Sequence, residues 1–489
     1  MNVPSSERPS IMDGVKEVQV GAVPAARLAP LLVEGRAEVL ADQAQLTSRQ
    51  LAGRTVWNVS STSRGGGVAE MLQTMLAYGR GAGVDTRWLV IDGTPAFFAT
   101  TKRLHNLLHG SAGDGGSLGH AERTVYVDVL ARALEELRAV VRSGDVVVLH
   151  DPQTAGLVDG VRALGAHVVW RCHVGRDERN ELTEAGWSFL REFVGGAEAF
   201  VFSRSEFTPS WVPNDRLFVI PPSLDPFSAK NAPLDDVEVA ATLVMTGLVD
   251  AGGKRPSAVS FAHRDGSRGT LRAHSGLLLD GSPLPAYARI VLQVSRWDRL
   301  KDMAGVLSGF AEHVESLPDD VHLLLAGPDV DGVGDDPEGA QVLDECRALW
   351  HSLEGRLRAR VHLSCLPMDD VDENALLVNA LQRHATVVVQ KSIEEGFGLT
   401  VTEPMWKARP VVATAVGGIQ EQIVDGVSGR LLQDPSDHAE FRTVLSELLT
   451  DRLRAESLGR AAKERVRDRF LVDRHLLQYA ALFRSLVSE

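Results

Sequence analysis

The sequence predicts an α/β protein with two doubly wound, Rossmann-like domains that face a central cleft. Short apolar runs rich in Val and Ile alternate with longer helical patterns, and this alternation is interrupted once and then restarts. Near-continuous apolar strands separated by helices are typical of a parallel sheet that is covered on both faces. The length of 489 residues corresponds to about three average domains or to two large ones.

The first domain is expected at residues 55–220, after an N-terminal extension over residues 1–54. The extension lacks a strand pattern, so we expect a mobile start followed by short helical or edge elements. The strands of the domain are expected at Thr55–Val59, Trp88–Ile91, Asp145–Leu149, Val168–Arg171, Ala199–Phe202 and Leu217–Ile220. Its helices are expected near Gly67–Gly81, Ala121–Arg142, Thr154–Leu164 and Leu182–Val194.

The second domain is expected at residues 221–470, and residues 471–489 form a C-terminal helix. Its strands are expected at Arg289–Val294, Val321–Ala326, Val361–Ser364, Thr386–Val389 and Val411–Ala413. Its helices are expected near Asp302–Glu315, Gly339–Leu353, Val371–Leu381, Thr400–Ala408, Ala439–Leu449 and Asp451–Phe470. The segment Gly252–Pro285 is rich in Gly, Ser, Arg and Pro, and we expect an insertion or long surface loop without a function of its own.

Composition excludes several classes of protein. Lys and Arg total 51 against 65 Asp and Glu, and the net charge of −14 disfavours a nucleic-acid binder. No apolar run reaches the roughly 18 residues of a membrane span, and the first residues lack the apolar core of a signal peptide. Three cysteines without CxxC spacing argue against a disulfide framework or a structural zinc site. We therefore expect a cytoplasmic protein.

Candidate ligand-binding residues lie in the loops that follow the strands, because open α/β sheets bind ligands beyond the carboxyl ends of their strands. Arg64-Gly65-Gly66-Gly67 follows the first strand of the first domain. Glycines let a ligand approach the backbone, and the following helix presents free N–H groups to an anion. Gly66 and Gly67 are candidates for that role, and a flexible turn explains the run equally well.

Two further polar segments follow strands of the first domain. His150, Asp151 and Gln153 come after one strand, and His173 comes after the next. A single histidine is more often structural than functional, but two histidines at the ends of neighbouring strands favour a functional role for both. Histidine donates hydrogen bonds to hydroxyl or phosphate oxygens, or holds positive charge.

A basic turn follows the first strand of the second domain. Arg296 offers the planar fork that grips phosphate oxygens, and Lys301 adds a compact charge. A helix that begins after this turn would add its N-terminal dipole. A solvated turn paired with Asp298 and Asp302 explains the same residues equally well.

The most informative segment runs from Glu394 to Glu403. Gly396, Phe397, Gly398 and Leu399 form a glycine-containing loop before a helix, which is a further candidate anion cradle. Carboxylates such as Glu395 and Glu403 accept hydrogen bonds from sugar and ribose hydroxyls. Acids beside an anion cradle indicate a nucleotide sugar, and the nearby cations and glycines disfavour a glycosidase carboxylate pair. The turn at Gly417-Gly418 lines the same cleft or is purely structural.

Together these residues resemble the retaining glycosyltransferases of the GT-B fold, family 4, from about Thr55 to the C-terminus. The Glu-x7-Glu motif is met by Glu395 and Glu403, and the Arg-x4-Lys motif by Arg296 and Lys301. In that family the first Glu contacts the donor sugar, the second holds the ribose, and Arg and Lys neutralise the diphosphate. The resemblance also implies that the C-terminal helix crosses back to the first domain, which binds the acceptor.

Within the family, the segments VWNVSSTSRGGGVAEML, VVLHDPQTAGL, VVWRCHVGRD and IPPSLDPFSAKN are most similar to those of the trehalose-forming branch. The resemblance implies the reversible reaction NDP-glucose + glucose = α,α-trehalose + NDP, with retention. His173 would then lie near the donor sugar. His150, Asp151 and Gln153 are the candidates for contacts with the acceptor glucose.

The same resemblance leaves two alternatives open, a trehalose phosphorylase and a catalytically inactive sugar-binding homologue. It implies no bound cofactor and an ADP-, UDP- or GDP-glucose donor, whose diphosphate would bring any Mg²⁺ with it, because no DxD-type signal demands a metal. The expected partners are NDP-glucose, glucose and trehalose, without nucleic acid or membrane, and a homodimer is compatible with the sequence.

Overall fold

The computed structural model describes residues 14–63, 66–250, 252–253, 256, 258–263, 267–274, 277–330 and 337–488. The chain divides into two compact units. Unit 1 comprises Met1–Ser223 and Val472–Glu489, and unit 2 comprises Leu224–Leu471. Both units are α/β, as the alternation of apolar strands and helices predicts. No helix among these described residues is long and apolar enough to cross a membrane.

Unit 1 contains a seven-stranded sheet in the order β1-β3-β2-β4-β5-β6-β7. Its strands are β1 (Val15–Val18), β2 (Val56–Ser60), β3 (Thr86–Ile91), β4 (Val146–His150), β5 (His167–Cys172), β6 (Ala199–Phe202) and β7 (Leu217–Val219). Strand β1 pairs antiparallel with β3, and the other neighbours are parallel. Since β3 and β4 flank β2, the strand order reverses between β2 and β4, which is the switch point where doubly wound sheets bind ligands.

Helices cover both faces of this sheet. They are α1 (Arg36–Gln50), α2 (Gly66–Gly81), α3 (Pro95–Leu108), α4 (His120–Val140), α5 (Asp151–Thr154), α6 (Val158–Arg162) and α7 (Glu181–Val194). Alternate residues of one strand enter opposite cores: Leu149 packs in the cluster that includes Trp170, whereas Val148 packs in the cluster that includes Tyr479. Burial on both faces explains why these strands read as continuous apolar runs. The single helix expected over Thr154–Leu164 is wrong, because short helical segments replace it.

Unit 2 contains a second seven-stranded sheet, in the order β10-β13-β12-β11-β14-β15-β16, and a separate hairpin of β8 and β9. Its strands are β8 (Ser260–Ala262), β9 (Arg268–Thr270), β10 (Leu278–Asp280), β11 (Arg289–Val294), β12 (Val321–Pro328), β13 (Val361–Leu366), β14 (Val387–Gln390), β15 (Val411–Thr414) and β16 (Arg430–Leu432). Its helices are α8 (Asp236–Met245), α9 (Met303–Ala311), α10 (Pro337–Ser352), α11 (Gly355–Arg358), α12 (Val371–His384), α13 (Leu399–Trp406), α14 (Ile419–Gln422), α15 (His438–Thr450) and α16 (Arg452–Arg469). The strand order reverses between β11 and β14.

The segment Gly252–Pro285, expected to be an insertion or long surface loop, contains three short strands, β8, β9 and β10, and its other described residues lie outside strands and helices. Strand β10 adds an antiparallel edge to the second sheet by pairing with β13. Arg272 and His274 from the same segment contact the buried carboxylate of Glu373 at the start of α12. These pairings join positions about a hundred residues apart in the chain, as in the Arg272–Glu373 contact with its separation of 101, so local patterning could not predict them.

The last helix, α17 (Val472–Val487), belongs to unit 1. Its Tyr479 and Leu482 are buried in the apolar cluster on one face of the first sheet. Asp473 at its start forms an ion pair with Arg36 of α1 at 2.5 Å. The chain therefore returns to unit 1 after completing unit 2.

Candidate functional site

The candidate residues of unit 1 cluster at the switch point of its sheet. His150 ends β4, and Asn58 lies in the neighbouring strand β2. His150 Nε2 is 3.0 Å from Asn58 Oδ1, so the neutral ring carries its proton on Nε2. The ring of His173 stacks on that of His150, with centroids 5.7 Å apart. The two histidines are therefore brought together, as their positions at the ends of neighbouring strands predict.

Arg171 supplies the positive charge of this cluster. It is fully buried in β5, and its Nε donates to His173 Nε2 at 3.3 Å. Among the described residues, no carboxylate forms an ion pair with Arg171. Burial and, to a smaller extent, the charge of Arg171 lower the pKa of His150 to about 3. Burial and Arg171 also hold the pKa of His173 well below its ordinary value, so both histidines are neutral hydrogen-bonding groups and not cations.

Asp151 fixes the loop that carries His173. Its Oδ1 accepts the His173 backbone N–H at 2.7 Å, and its own backbone has a left-handed φ of 64°. A non-glycine residue in that conformation is strained, which is common at functional sites. Burial raises the pKa of Asp151 to about 6, although the His173 N–H and Arg171 oppose the rise. Asp151 therefore orients His173 in addition to any ligand contact.

Gln153, Gly66 and Gly67 are the remaining predicted ligand-binding residues of unit 1. Gln153 lies in α5 with a buried Oε1 that has no hydrogen-bond partner among the described atoms, so this oxygen can accept a hydrogen bond from a ligand. Helix α2 begins at Gly66, and Gly67 is exposed. Arg64 and Gly65 lie outside the described residues. The anion-binding role of Gly66 and Gly67 stays a prediction.

The first pair of unit 2 lies at its own switch point, between β11 and β14. Lys301, in the turn after β11, contacts Glu395, in the loop after β14, with Nζ 2.5 Å from Oε2. The backbone N–H of Ile393 donates to Leu300 O at 2.8 Å and ties the two loops together. The arginine of the same motif, Arg296, is half exposed and donates to Asp298 Oδ2 at 3.0 Å.

The loop before α13 is shaped by glycines. Gly398 takes a left-handed φ of 86° as the N-cap residue of α13, whose first residue is Leu399. The ring of Phe397 is buried against Phe470, and its backbone oxygen accepts a hydrogen bond from Gln422 Nε2. A Cβ on Gly417 would lie 1.7 Å from Glu395 O. The Gly417-Gly418 turn therefore supports the Glu395 loop through close backbone packing, which favours its structural interpretation.

Glu403 lies within α13 and is almost fully buried. Its Oε1 is 3.5 Å from Lys230 Nζ, and its Oε2 accepts from Gln382 Nε2 at 3.1 Å. Each acid of the Glu-x7-Glu motif therefore faces a lysine, Glu395 facing Lys301 and Glu403 facing Lys230. An oxygen of a sugar or ribose hydroxyl could replace either lysine contact.

Sequence reasoning gave no role to several residues that the structure places here: Asn58, Arg171, Lys391, Gln382 and Lys407. A charged residue inside the apolar run VVWRC was the available signal for Arg171. Lys391 follows strand β14, is buried, and contacts Asp302, the N-cap residue of α9. The partners of Gln382 and Lys407 come from distant parts of the chain, so no local pattern could identify them.

Comparison with known proteins identifies the family of this chain. The family description "Trehalose synthase, N-terminal domain" matches residues 58–209, and "Glycosyl transferases group 1" matches residues 280–465. The chain is 33% identical over 466 residues to the trehalose synthase of Thermococcus litoralis, covering 93% of this chain and 97% of the relative. It is also 33% identical over 455 residues to that of Rubrobacter xylanophilus, covering 92% and 95%.

Similar solved structures show the same fold. Trehalose-6-phosphate synthase from E. coli, bound to UDP-2-fluoro glucose, superposes with a TM-score of 0.65 at 14% identity, covering 89% of this chain and 99% of that one. Sucrose-phosphate synthase from Thermosynechococcus elongatus gives a TM-score of 0.61 at 18% identity, with the same coverages. The fold is GT-B, and the chain belongs to the trehalose synthase family of the group 1 glycosyltransferases.

Proposed function

We propose that this chain is a retaining glucosyltransferase that catalyses NDP-glucose + glucose = α,α-trehalose + NDP in both directions. The observation that carries the proposal is the pairing of Glu395 with Lys301 and of Glu403 with Lys230 in unit 2. Glu395 lies in the loop before α13, and Glu403 lies within α13. Two carboxylates that can accept from hydroxyl groups, close to the cations Lys301 and Arg296 that can bind phosphate, match a ligand that carries both kinds of group. The trehalose synthases cited above support the assignment of the sugar.

In this proposal the diphosphate replaces Glu395 as the partner of Lys301. Arg296 and the N-terminus of α13 add positive charge and N–H donors for the same phosphates. Glu395, released from its lysine, accepts hydrogen bonds from the glucose hydroxyls, and Glu403 accepts them from the ribose. Lys301 and Arg296 stabilise the charge that develops on the leaving diphosphate.

The neutral histidines of unit 1 suit a neutral sugar. His150, Gln153 and Asp151 offer donors and acceptors for the hydroxyls of the acceptor glucose, as the sequence resemblance implies. His173, held by Arg171 and by Asp151, is proposed to contact the donor sugar. Because burial keeps its imidazole uncharged, its contribution is a directed hydrogen bond and not a fixed positive charge.

The transfer itself needs no protein nucleophile. The bond between glucose C1 and the diphosphate oxygen breaks, and a bond forms between C1 and the acceptor O1 on the same face of the ring. The acceptor hydroxyl gives its proton to the leaving diphosphate oxygen, so charge and atoms balance. The chain's part is to orient both sugars and to stabilise the leaving group.

A trehalose phosphorylase is the second candidate, because the phosphorylase of Grifola frondosa is 26% identical over 433 residues, covering 84% of this chain and 54% of that protein. The buried carboxylate of Glu403 can bind the ribose of a nucleotide, whereas free phosphate has no ribose for it to bind. We therefore rank the nucleotide-dependent reaction first. We also infer that Mg²⁺, where present, enters with the nucleotide.

The test supplies glucose with ADP-, UDP- or GDP-glucose and identifies the disaccharide by NMR. We expect α,α-trehalose with at least one donor, formed about 100- to 1,000-fold more slowly when Lys301 is replaced by alanine. A different disaccharide, or hydrolysis alone, would contradict the proposed acceptor. The same assay on gel-filtered protein reports whether a homodimer is the active species. Three free, buried cysteines agree with the expected cytoplasmic location.

A further inference from the structure

A second layer of residues lies behind Glu403, and Lys407 is at its centre. Lys407 caps the C-terminal end of α13, one helical turn after Glu403. It is almost completely buried. Its ammonium donates to Gln382 Oε1 at 2.6 Å, to Asn231 Oδ1 at 3.0 Å and to the backbone oxygen of Glu403 at 3.3 Å. All three donors of the ammonium are therefore used, and each acceptor is an uncharged oxygen.

The contact with Gln382 determines what Gln382 can offer to Glu403. An ammonium group has donors only, so the amide must turn its oxygen to Lys407 and its nitrogen away. That nitrogen donates to Glu403 Oε2 at 3.1 Å. Oε2 is thereby held from behind, and Oε1 is left on the side of Lys230.

The contact with Asn231 holds the other member of the pair. Lys230 precedes Asn231 in a segment that is fixed to α12: Asn379 Nδ2 donates to the backbone oxygens of Ala229 and Ala232 at 3.0 and 2.9 Å. Lys407 adds the side-chain contact to Asn231 at 3.0 Å. One buried ammonium thus touches the supports of both Glu403 and Lys230.

Electrostatics couples the same groups. Burial is the largest cause that lowers the pKa of Lys407 to about 7; the negative charge of Glu403 opposes the shift, and the positive charges of Arg383 and Lys230 contribute to it. A change of charge at Glu403 therefore alters the free energy of the charged form of Lys407.

We infer that Lys407 is a positioning residue for the nucleotide: through Gln382 and Asn231 it fixes Glu403 and Lys230, and so sets the affinity for a nucleoside diphosphate. The inference rests on the proposed function, in which Glu403 binds the ribose. It assigns Lys407 no contact with the nucleotide or with the reacting atoms.

The test measures NDP dissociation constants of the full-length chain by titration calorimetry, with ADP, UDP and GDP as probes. In Lys407→Met we expect the dissociation constant of the best-bound NDP to rise about 10-fold, within the range of coupled neighbours. The donor KM should rise similarly, while kcat at saturating donor stays within about 2-fold because no group that touches the leaving oxygen has changed. Gln382→Met removes the same link and leaves Lys407 in place, so it should weaken NDP binding in the same direction.

Lys463→Met is the matched control, because this exposed lysine lies over the ring of Trp406 on α13, with Nζ 5.3 Å from the centroid, and has no link to Glu403. Its NDP affinity should equal that of the wild type. In a Glu403→Gln background, Lys407→Met should add clearly less to the loss than it causes in the wild type, since its link through Gln382 acts on Glu403 and only the link through Asn231 to Lys230 remains.

The outcomes separate the two proposals. If Glu403→Gln weakens NDP binding but Lys407→Met and Gln382→Met do not, the positioning role is wrong and the proposed function stands. A full, additive effect of Lys407→Met in the Glu403→Gln background would also overturn it, because a general loss of structure adds in that way. If wild type and Glu403→Gln bind NDP equally, the ribose role fails, and the positioning role fails with it.

Discussion

The two units place their candidate residues at equivalent points of similar sheets, but the charged groups at these points have different partners. In unit 2 the cations at the switch point face carboxylates, as Lys301 faces Glu395 and Arg296 faces Asp298. In unit 1 the buried cation Arg171 contacts His173 and helps to lower the pKa values of both His150 and His173. The candidate site of unit 2 therefore consists of ion pairs, whereas that of unit 1 places neutral histidines next to a buried charge.

This difference corresponds to the chemistry of the proposed substrates. A diphosphate can exchange for the carboxylate partner of a lysine, so the cations of unit 2 remain compensated before and after binding. A neutral glucose offers no such exchange, and charged side chains facing it would lose hydration without a counter-charge. In a chain with a net charge of −14, these ion pairs also hold the cations at the proposed diphosphate site.

Removing a cation from unit 2 should have the largest effect. In Lys301→Ala we expect kcat to fall by about 100- to 1,000-fold, because the leaving diphosphate loses a direct charge contact and Glu395 loses its partner. Steady-state assays with saturating NDP-glucose measure this. Lys102→Ala, an exposed lysine of α3, is the control and should retain full activity. A loss below about 5-fold would remove Lys301 from the transition state.

Removing the ribose carboxylate should have a smaller effect, and on a different quantity. Glu403→Gln keeps the shape of the side chain but loses its charge, so we expect the NDP dissociation constant to rise about 10-fold, the loss of a charge-assisted hydrogen bond. Calorimetric titration measures this. If kcat changes more than NDP affinity does, Glu403 acts on the reaction step and the division of roles in unit 2 is incorrect.

NMR titration of the histidine rings tests the buried charge of unit 1. Arg171→Met removes a charge that lowers the pKa of His150 and of His173, so both pKa values should rise. The rise should be partial, because burial is the larger cause of the low values and remains in the variant. Arg171→Lys keeps the charge and should keep the wild-type pKa values. Identical ring pKa values in Arg171→Met and wild type would contradict the contribution of Arg171.

The smallest expected effect is that of His150 on the free energy of unfolding. The folded-state pKa of His150 is depressed to about 3, so the unfolded chain takes up the proton first, and stability is lost as pH falls through the ordinary value near 6.5. Between pH 8 and pH 6 this costs about 0.8 kcal/mol. The difference in unfolding free energy between His150→Gln and wild type should shift by that amount in favour of the variant, as measured by chemical denaturation. No shift would indicate that His150 titrates normally.

The strands and the motif residues could be predicted from sequence because their signals are local. A buried parallel strand needs a continuous apolar run, and a polar residue at its end or in the following loop, such as His150 or Lys301, lies at the ligand-binding edge. Helix α3 and helix α8 were not predicted, and strand β10 was expected to be loop. That strand exists only through its pairing with β13, which no window around it contains.

The supporting residues could not be predicted for the same reason. Lys407 follows an apolar helix and gives no sign of being buried; its role depends on Asn231 and Gln382, which the fold brings to it. Arg171 likewise acquires its role only when β5 lies beside β4. Motifs identified the groups expected to touch a ligand, whereas the structure was needed to find the groups that hold them.

The most direct test supplies trehalose together with ADP, UDP, GDP or inorganic phosphate, and identifies the glucosyl product by NMR. We expect NDP-α-glucose with at least one nucleotide, no glucose 1-phosphate with phosphate, and loss of the nucleotide reaction in Lys301→Ala. Formation of glucose 1-phosphate without any NDP-glucose would contradict the nucleotide role of Glu403 and Lys230 and establish a phosphorylase. An NDP-β-glucose product would contradict retention.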